Sequence, residues 1–405
     1  MNDRTDETLR EQVEERRLDW ALAELEGLHR PPDLTHAILQ RLEQSAPQGG
    51  PVGADSSDPS RMLPKIFVAA AGLAVVALIA WSTHRGSQAP DDSSVSLPPP
   101  VLVRTPEEIL RLPSDTRNLA AMDCDDAELR ALRRVSHLER LELRVRRDGG
   151  SGPTEDALAN LASLPKLREL ALTWQRKLGD VGVRHLGSLR ILESLTLSGT
   201  EVDRDGVGAL ARQLPQLRSL EFRILPKLGD DSLRQLAKMH WLRRLSLDGC
   251  GGVTAEGLRA LGSLRQLQEL RLAELNPNRS NGPNPIDDTL LATLAKLTDL
   301  QKLEIPRARL SKRAVATLCT FPALRGLDLS GCKDIDDDAV RCLLEALPLQ
   351  SLRLSGTSVT PSVIADLCRE TTLTSLELRA EWMTPALHRQ LRTLPRLGSL
   401  ETGQD

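Results

Sequence analysis

A six-residue pattern, LxxLxL, recurs along residues 138–400. Ten complete copies begin at residues 138, 167, 192, 217, 242, 267, 300, 324, 349 and 373, and a truncated copy begins at residue 397. Most starts are 24 or 25 residues apart, and nine of the ten have a leucine six residues earlier. The LxxLxL pattern and the leucine six residues before it keep the same register along the chain, which indicates a structural repeat. A period of this length is typical of a solenoid, in which successive coils stack on one another.

Each copy is expected to form a strand, a turn and a helix. The leucines at the fourth and sixth positions of the pattern point to the same side of a strand. Four residues suited to cap the following helices are Asp203, Thr254, Asp287 and Asp336. The sequence therefore predicts an α/β solenoid of about 10–11 repeats, with a curved parallel sheet inside and helices outside. Leu119 and Ala121 indicate a degenerate copy before the first.

The pattern resembles the leucine-rich repeat family over about residues 116–402. The segments LSGTEVDRDGV (197–207), LDGCGGVTAEGL (247–258) and LSGCKDIDDDAV (329–340) are similar to its cysteine-containing subtype. The place of that subtype's ladder cysteine is held by Cys250, Cys332, Thr200 and Thr357, and four copies depart from it at Gln175, Leu225, Leu275 and Ala308. The subtype is best known from substrate receptors of ubiquitin ligases. Because no F-box-like segment precedes the repeats, a ubiquitin role is not expected.

Composition agrees with a stack of equal layers. The chain has 77 leucines among 405 residues, but three Phe and no Tyr, because a repeated layer has little room for an oversized ring. The net charge of −3 implies no bulk affinity for nucleic acid. Nucleotide-binding, metalloprotease and nucleophile-elbow motifs are absent, and neither cysteines nor histidines have metal-ligand spacing. We predict no enzyme activity, cofactor, metal site or small-molecule substrate.

Between Lys65 and Arg85 lie 19 residues without formal charge. As a helix they would span about 28 Å, enough for the hydrocarbon core of a bilayer. The sequence therefore predicts a transmembrane helix over 65–84, with a buried core helix as the alternative. Two basic residues before the run and one after it favour a cytoplasmic N-terminus and an extracytoplasmic repeat domain. The expected segments are an acidic helical tail (1–45), a flexible linker (46–64), the membrane helix, a Pro/Ser stalk (85–104) and the repeat domain (105–405).

The tail suggests a second function. Residues 1–65 carry 13 acidic and 8 basic residues. This layout resembles that of bacterial membrane-bound anti-sigma regulators, although the zinc motif common in that family is absent. The resemblance implies a tail that contacts a cytoplasmic partner; a tail that only precedes an anchor is the alternative.

The six cysteines bear on the orientation. The register is expected to hold cysteines in successive copies too far apart for disulfides. Free thiols favour a reducing compartment, which argues against an exported repeat domain unless burial protects the thiols.

The concave face of the sheet is the expected binding surface for a protein or a cell-envelope component. Arg271 should lie beside Glu304, and Arg353 between Asp328 and Glu377, so one interpretation is that these charges are satisfied internally. Arg223, Arg243 and Arg244 have fewer acidic neighbours in the sequence, and we predict that they form a cluster that contacts an acidic patch on the partner. Predicted partner-binding residues on this face are Arg223, Arg243, Arg244, Arg271, Arg353 and Trp174.

Trp174 follows the strand of the second complete copy, and either anchors a partner or packs on its own turn.

Two copies are long, with extra residues near 144–156 and 276–285, between strand and helix. Basic residues predicted to contact a partner from these edge loops are Arg144, Arg146, Arg147 and Arg279; tolerated surface insertions are the alternative.

We predict a membrane-anchored protein-interaction module. The first alternative is a transmembrane signalling regulator, and the remote one a structural envelope protein.

Overall fold

The computed structural model describes residues 97–146, 152–275, 285–382 and 384–403, all within a compact unit formed by residues 95–405. In these ranges the chain forms one parallel sheet of 13 strands in sequence order. The strands are β1 (Val101–Val103), β2 (Asn118–Met122), β3 (Arg140–Arg144), β4 (Glu169–Thr173), β5 (Ser194–Ser198), β6 (Ser219–Arg223), β7 (Arg244–Asp248), β8 (Glu269–Ala273), β9 (Lys302–Glu304), β10 (Gly326–Asp328), β11 (Ser351–Arg353), β12 (Ser375–Arg379) and β13 (Ser399–Gly403).

Helical segments connect most strands to the next. The α-helices of the described ranges are α1 (Pro106–Leu110), α2 (Asp126–Ala131), α3 (Asp180–His185), α4 (Arg204–Gln213), α5 (Asp230–Leu236), α6 (Ala255–Arg259), α7 (Asp288–Leu294), α8 (Lys312–Leu318), α9 (Asp337–Ala346), α10 (Ile364–Leu367) and α11 (Pro385–Leu391). Short 3₁₀ helices are Leu132–Arg134, Asp156–Ser163, Leu186–Ser188, Ala260–Ser263, Pro361–Val363 and Ala380–Trp382. Between β3 and β4 the 3₁₀ segment Asp156–Ser163 stands in place of an α-helix. The expected unit of strand, turn and helix is therefore confirmed.

The core is a column of leucines that repeats from coil to coil. Strand pairing is in register, so that Leu220 lies opposite Leu195 on one side and Leu245 on the other. In each complete LxxLxL copy the side chains at the fourth and sixth positions are buried, as are most leucines of the helices, and these buried side chains belong to one continuous cluster. A single coil cannot bury its leucines alone, because they are buried against the equivalent leucines of neighbouring coils. This explains why the leucines recur at a fixed period.

The helix starts are tied to one another across coils. The four predicted capping residues, Asp203, Thr254, Asp287 and Asp336, each accept a hydrogen bond from an amide of the first helical turn. In addition, the first residue of several helices accepts bonds from the capping residue of the next coil. Asp230 accepts from the Thr254 amide and hydroxyl at 2.8 and 2.7 Å, and Asp337 accepts from the Thr360 amide and hydroxyl at 2.7 and 2.6 Å. These carboxylates link neighbouring coils on the helical side.

The sheet extends beyond the predicted repeats. The degenerate copy at Leu119 is β2, the truncated copy at Leu400 is β13, and β1 was not predicted. Strand β1 starts at Val101, so that the solenoid begins inside the segment expected to be a stalk. Val101 and Leu102 are 43% and 48% exposed, because β1 is the outermost strand of the sheet and pairs only with β2. This end strand lacks the LxxLxL pattern, and for that reason the repeat count missed it.

The predicted tail (1–45), linker (46–64), membrane helix (65–84) and most of the stalk (85–104) lie outside the described residues. In the described ranges, no helix is both long enough and apolar enough to cross a membrane.

One expectation about the cysteines is wrong. Cys319 Sγ and Cys342 Sγ lie 3.0 Å apart, although cysteines of successive copies were expected to be well separated. Cys319 directly follows α8 and Cys342 lies within α9, so the stacking of these helices brings the two thiols together.

Candidate partner-binding face

One face of the sheet carries none of the helices that the structure describes, and we call it the open face. Its side chains alternate along each strand with the buried leucines, so β7 presents Arg244, Ser246 and Asp248 there. The same three positions of every strand form three rows across the sheet. The rows are polar and of mixed charge.

The first charged group on the open face is centred on Glu304. Arg271 Nη1 lies 2.5 Å from Glu304 Oε2, Lys302 Nζ lies 2.7 Å from Glu304 Oε1, and Arg271 Nη2 lies 3.7 Å from Asp248 Oδ2. Burial alone would raise the pKa of Glu304, but Lys302 and Arg271 together lower it below the usual value. Burial raises the pKa of Asp248, and Arg271 opposes that rise. The predicted pairing of Arg271 with Glu304 is confirmed, and the partners of Arg271 are residues of the protein itself.

A second group of the same kind lies further along the sheet. Arg353 lies between Asp328 and Glu377, at 3.6 and 3.3 Å. The Ser355 hydroxyl donates to Glu377 Oε1 at 2.7 Å. The predicted position of Arg353 is confirmed, and its charge is also satisfied within the sheet.

Arg223 does not join Arg243 and Arg244. It ends β6 and lies opposite Asp248, whereas Arg244 begins β7 and lies opposite Ser219. The two positions are four residues apart along the strands, or roughly 13 Å. Arg223 is instead paired with Glu221 at 2.6 Å. The predicted cluster of three arginines is therefore corrected: the structure separates Arg223 from the other two.

A different arginine completes the group. The amides of Arg243 and Arg244 donate to the carbonyl of Arg218 at 2.8 and 2.9 Å, so the three residues lie on adjacent coils at the edge where the strands begin. We call Arg218, Arg243 and Arg244 the basic edge cluster. Arg243 and Arg244 are exposed, and Arg218 Nη1 donates to the Pro215 carbonyl at 3.1 Å.

The acidic partners that occur earlier along the same edge are missing at the basic edge cluster. Arg117 is paired with Glu139 and Arg168 with Glu193. In the part of the chain that the structure describes, no carboxylate is within ion-pairing distance of the three guanidinium groups of the cluster. The cluster therefore differs from the paired arginines that precede it along this edge.

At the basic edge cluster, an opposite position in the strand register does not guarantee an ion pair. Glu269 lies opposite Arg244 in the register of β7 and β8, but it does not form an ion pair with it. The sequence contained a signal for Arg218 that was missed, since Arg218 occupies the position of Arg243 in the preceding copy, 25 residues earlier.

Trp174 packs on the neighbouring coil. It has a φ of +60° directly after β4, and its half-buried ring covers Gly199, where an added Cβ would lie 2.5 Å from Trp174 Cε3. Ile224 covers Gly249 in the same manner two coils on. The interpretation of Trp174 as a side chain packed on a turn is favoured, with the turn belonging to the next coil rather than its own.

The edge-loop arginines that the structure describes are paired. Arg144 contacts Glu142, and Arg146 Nε lies 2.6 Å from Asp123 Oδ2. Arg147 and Arg279 lie outside the described residues. The two insertions fall after β3 and after β8, between strand and helix as predicted.

Among the described residues, no group of three or more His, Cys, Asp or Glu side chains could hold a metal ion.

One family model, described as Leucine Rich repeat, matches residues 238–262. That segment contains β7 and α6, and strands in the same register lie on either side of it. The described domain has the fold of a leucine-rich repeat solenoid.

The leucine-rich repeat ladder is visible in its buried polar residues. Cys332 Sγ lies 3.4 Å from the Ile305 carbonyl, Cys250 Sγ 3.6 Å from the Asp248 carbonyl, and the Thr357 hydroxyl donates to the Leu354 carbonyl at 2.7 Å. Gln175, which departs from the subtype, also donates from Nε2 to a strand carbonyl, that of Leu143, at 3.3 Å. The ladder of this solenoid therefore accepts residues of different size.

Two solved structures are similar to the chain. An internalin (InlF) from Listeria monocytogenes is 19% identical over 72% of this chain and 82% of its own, with a TM-score of 0.41. A chain from the TLR13–ssRNA13 complex is 18% identical over 67% of this chain and 38% of its own, with a TM-score of 0.44. No curated protein matches the chain.

Proposed function

We propose that the protein is a membrane-anchored interaction module whose leucine-rich repeat domain binds an acidic surface of a protein partner at the basic edge cluster. Leucine-rich repeat domains generally serve as protein-interaction modules rather than enzymes. The proposal depends on one observation: three stacked arginines lack an acidic partner within the described residues, whereas Arg223, Arg271 and Arg353 each have one.

The physical reason is a difference in what each arginine can offer. A guanidinium already held by carboxylates of the protein gains less from an acid of a partner, because its charge is partly neutralised and weakening its own ion pairs carries a cost. Arg243 and Arg244 are exposed and carry no such cost. Arginines at a partly desolvated interface contribute strongly to binding and to the rate of association.

The binding test compares two double variants of the full chain in detergent extracts of membranes. R243E/R244E reverses two charges of the basic edge cluster. R133E/R204E reverses two exposed arginines on the helical side and serves as the matched control. After chemical cross-linking, mass spectrometry should find partners whose yield falls at least tenfold in the first variant only and decreases with added salt. Equal partner yields for both variants would exclude this site.

The membrane anchor is a separate part of the proposal. It is supported by the uncharged run between Lys65 and Arg85. A chain lacking residues 65–84 should leave the membrane fraction under alkaline carbonate washing, whereas the full chain should remain. Protease digestion of intact cells should degrade the repeat domain if it lies outside the cytoplasm.

The acidic tail supports a second candidate, a signalling regulator that contacts a cytoplasmic partner. Deletion of residues 1–60 distinguishes the two. An interaction module keeps its cross-linked partners and its cellular function after the deletion. A signalling regulator keeps the partners of its repeat domain but loses its cytoplasmic partner, and with it its signalling output.

A further inference from the structure

Two thiols meet on the helical side of the solenoid, away from the open face. Cys319 follows the last residue of α8, and Cys342 lies in the middle of α9 in the next coil. Their sulfurs are 3.0 Å apart and unbonded. Cys342 is exposed and Cys319 half-buried, whereas Cys124, Cys250 and Cys332 are buried. A sulfur pair this close, open to solvent on one side, differs from cysteines that only fill a core.

We propose that Cys319 and Cys342 are a redox-active pair, which a peroxide converts to a disulfide between the two coils and a dithiol reductant converts back. Neither residue belongs to the basic edge cluster, so the proposal does not depend on the proposed function.

The exposure of the two residues sets the order of the steps. The exposed Cys342 thiolate attacks one peroxide oxygen, the O–O bond breaks, and the departing hydroxide takes a proton to become water. Cys342 is then a sulfenic acid, oxidised by two electrons. The Cys319 sulfur attacks the Cys342 sulfur and the S–O bond breaks. The departing hydroxide takes the Cys319 proton, so two thiols and one peroxide give one disulfide and two waters.

The surroundings of Cys319 support its role as the second thiol. Burial, together with the hydrogen bond and proximity to Cys342, raises the pKa of Cys319 to about 12. A thiol of high pKa reacts slowly with peroxide from solution, because the thiolate is the nucleophile. It attacks readily only a sulfenic acid held beside it. Cys368, half-buried in the following coil, has its sulfur 3.9 Å from the Gln390 carbonyl.

The disulfide would join consecutive coils of the solenoid. Its two cysteines are 23 positions apart, so the closed loop is about one coil long. Cross-linking a loop of this size restricts the unfolded chain, and nearest-neighbour coupling in a solenoid spreads the effect to adjacent coils. Oxidation should therefore raise the melting temperature by roughly 5 °C.

The test oxidises the full chain with hydrogen peroxide, alkylates the remaining thiols and maps tryptic peptides without reductant. The expected product links peptide 314–325 to peptide 342–353 and disappears after dithiothreitol treatment. The matched control C368S should still give this product and the rise in melting temperature; C319S and C342S should give neither.

Two results would overturn the proposal. One is oxidised wild-type chain in which both thiols are alkylated or over-oxidised but not linked. The other is a linked peptide that joins Cys342 to Cys368. Both readouts use wild-type chain, so they hold even where C319S or C342S fails to fold.

Discussion

Replacing Arg271 with methionine removes one charge from the open face and keeps most of the side-chain volume. Glu304, whose side chain is 11% exposed, then loses its 2.5 Å partner and keeps only Lys302 at 2.7 Å. Breaking a fully buried ion pair costs about 3–5 kcal/mol. Since the Arg271 side chain is 35% exposed and Lys302 remains, the expected loss is smaller, about 2 kcal/mol.

Melting followed by circular dichroism measures this loss. For a domain of this size, about 2 kcal/mol corresponds to a fall of roughly 5 °C. The matched control is R244M, which alters an exposed arginine at the start of β7 without an ion pair to any other described residue; the stability of this variant should differ from wild type by less than about 0.5 kcal/mol.

The pH dependence tests the cause. In the folded chain the pKa of Glu304 is below its usual value, so its carboxylate stabilises the fold fully above the unfolded pKa of about 4. That contribution is lost as the pH falls through the folded pKa. The difference between wild type and R271M should therefore be largest at pH 7 and should shrink at pH 3. Equal melting temperatures at pH 7, or a difference as large at pH 3 as at pH 7, would refute the reasoning.

Three further changes test the turns and the helix starts by urea denaturation. Gly199→Ala should destabilise by more than about 2 kcal/mol, because φ is +62° and the ring of Trp174 occupies the space of the new methyl; adding Trp174→Ala should recover part of this. Ile224→Asn should stabilise by about 1 kcal/mol, since a β-branched residue is unfavourable at a φ of +53°. Asp337→Asn should destabilise more at pH 7 than at pH 3. Although burial raises the pKa of Asp337, hydrogen bonds from the next coil, including those from Thr360, lower it overall. The contribution of the carboxylate is therefore lost as the pH falls through the folded pKa.

The stacked core and the ion pairs of the sheet were predictable for one reason. A solenoid converts sequence spacing into distance, so residues one period apart become neighbours on adjacent strands. Leu220 and Leu245 follow this rule, and so do Arg271 and Glu304 once the long sixth copy is allowed for. The charge of a face residue can thus be compared with that of its neighbours from the repeat register alone.

The same rule explains why the predicted cluster is wrong. Arg223 and Arg243 are 20 residues apart, which is less than one period and places them at opposite ends of adjacent strands. Arg218 and Arg243 are 25 apart and stack. In a solenoid, two residues are neighbours because they share a register position, and closeness in sequence does not replace that condition. The Cys319–Cys342 contact is harder to derive, because helical side chains two positions away from equivalence meet only when helix rotation is known.

The turn after each strand explains why Trp174 and the basic edge cluster differ in availability. Positive φ recurs there, and at two turns where a large apolar residue adopts it the next coil has glycine: Trp174 precedes Gly199, and Ile224 precedes Gly249. The large side chain covers the neighbouring turn, and the contact offsets part of the cost of the unfavourable backbone conformation. If a partner displaced Trp174 from this position, the protein would lose that contact. The unfavourable backbone conformation of the turn would then no longer be compensated. At the opposite edge of the sheet Arg243 and Arg244 are exposed, so the contact that we propose there would not require a packed turn to be disrupted.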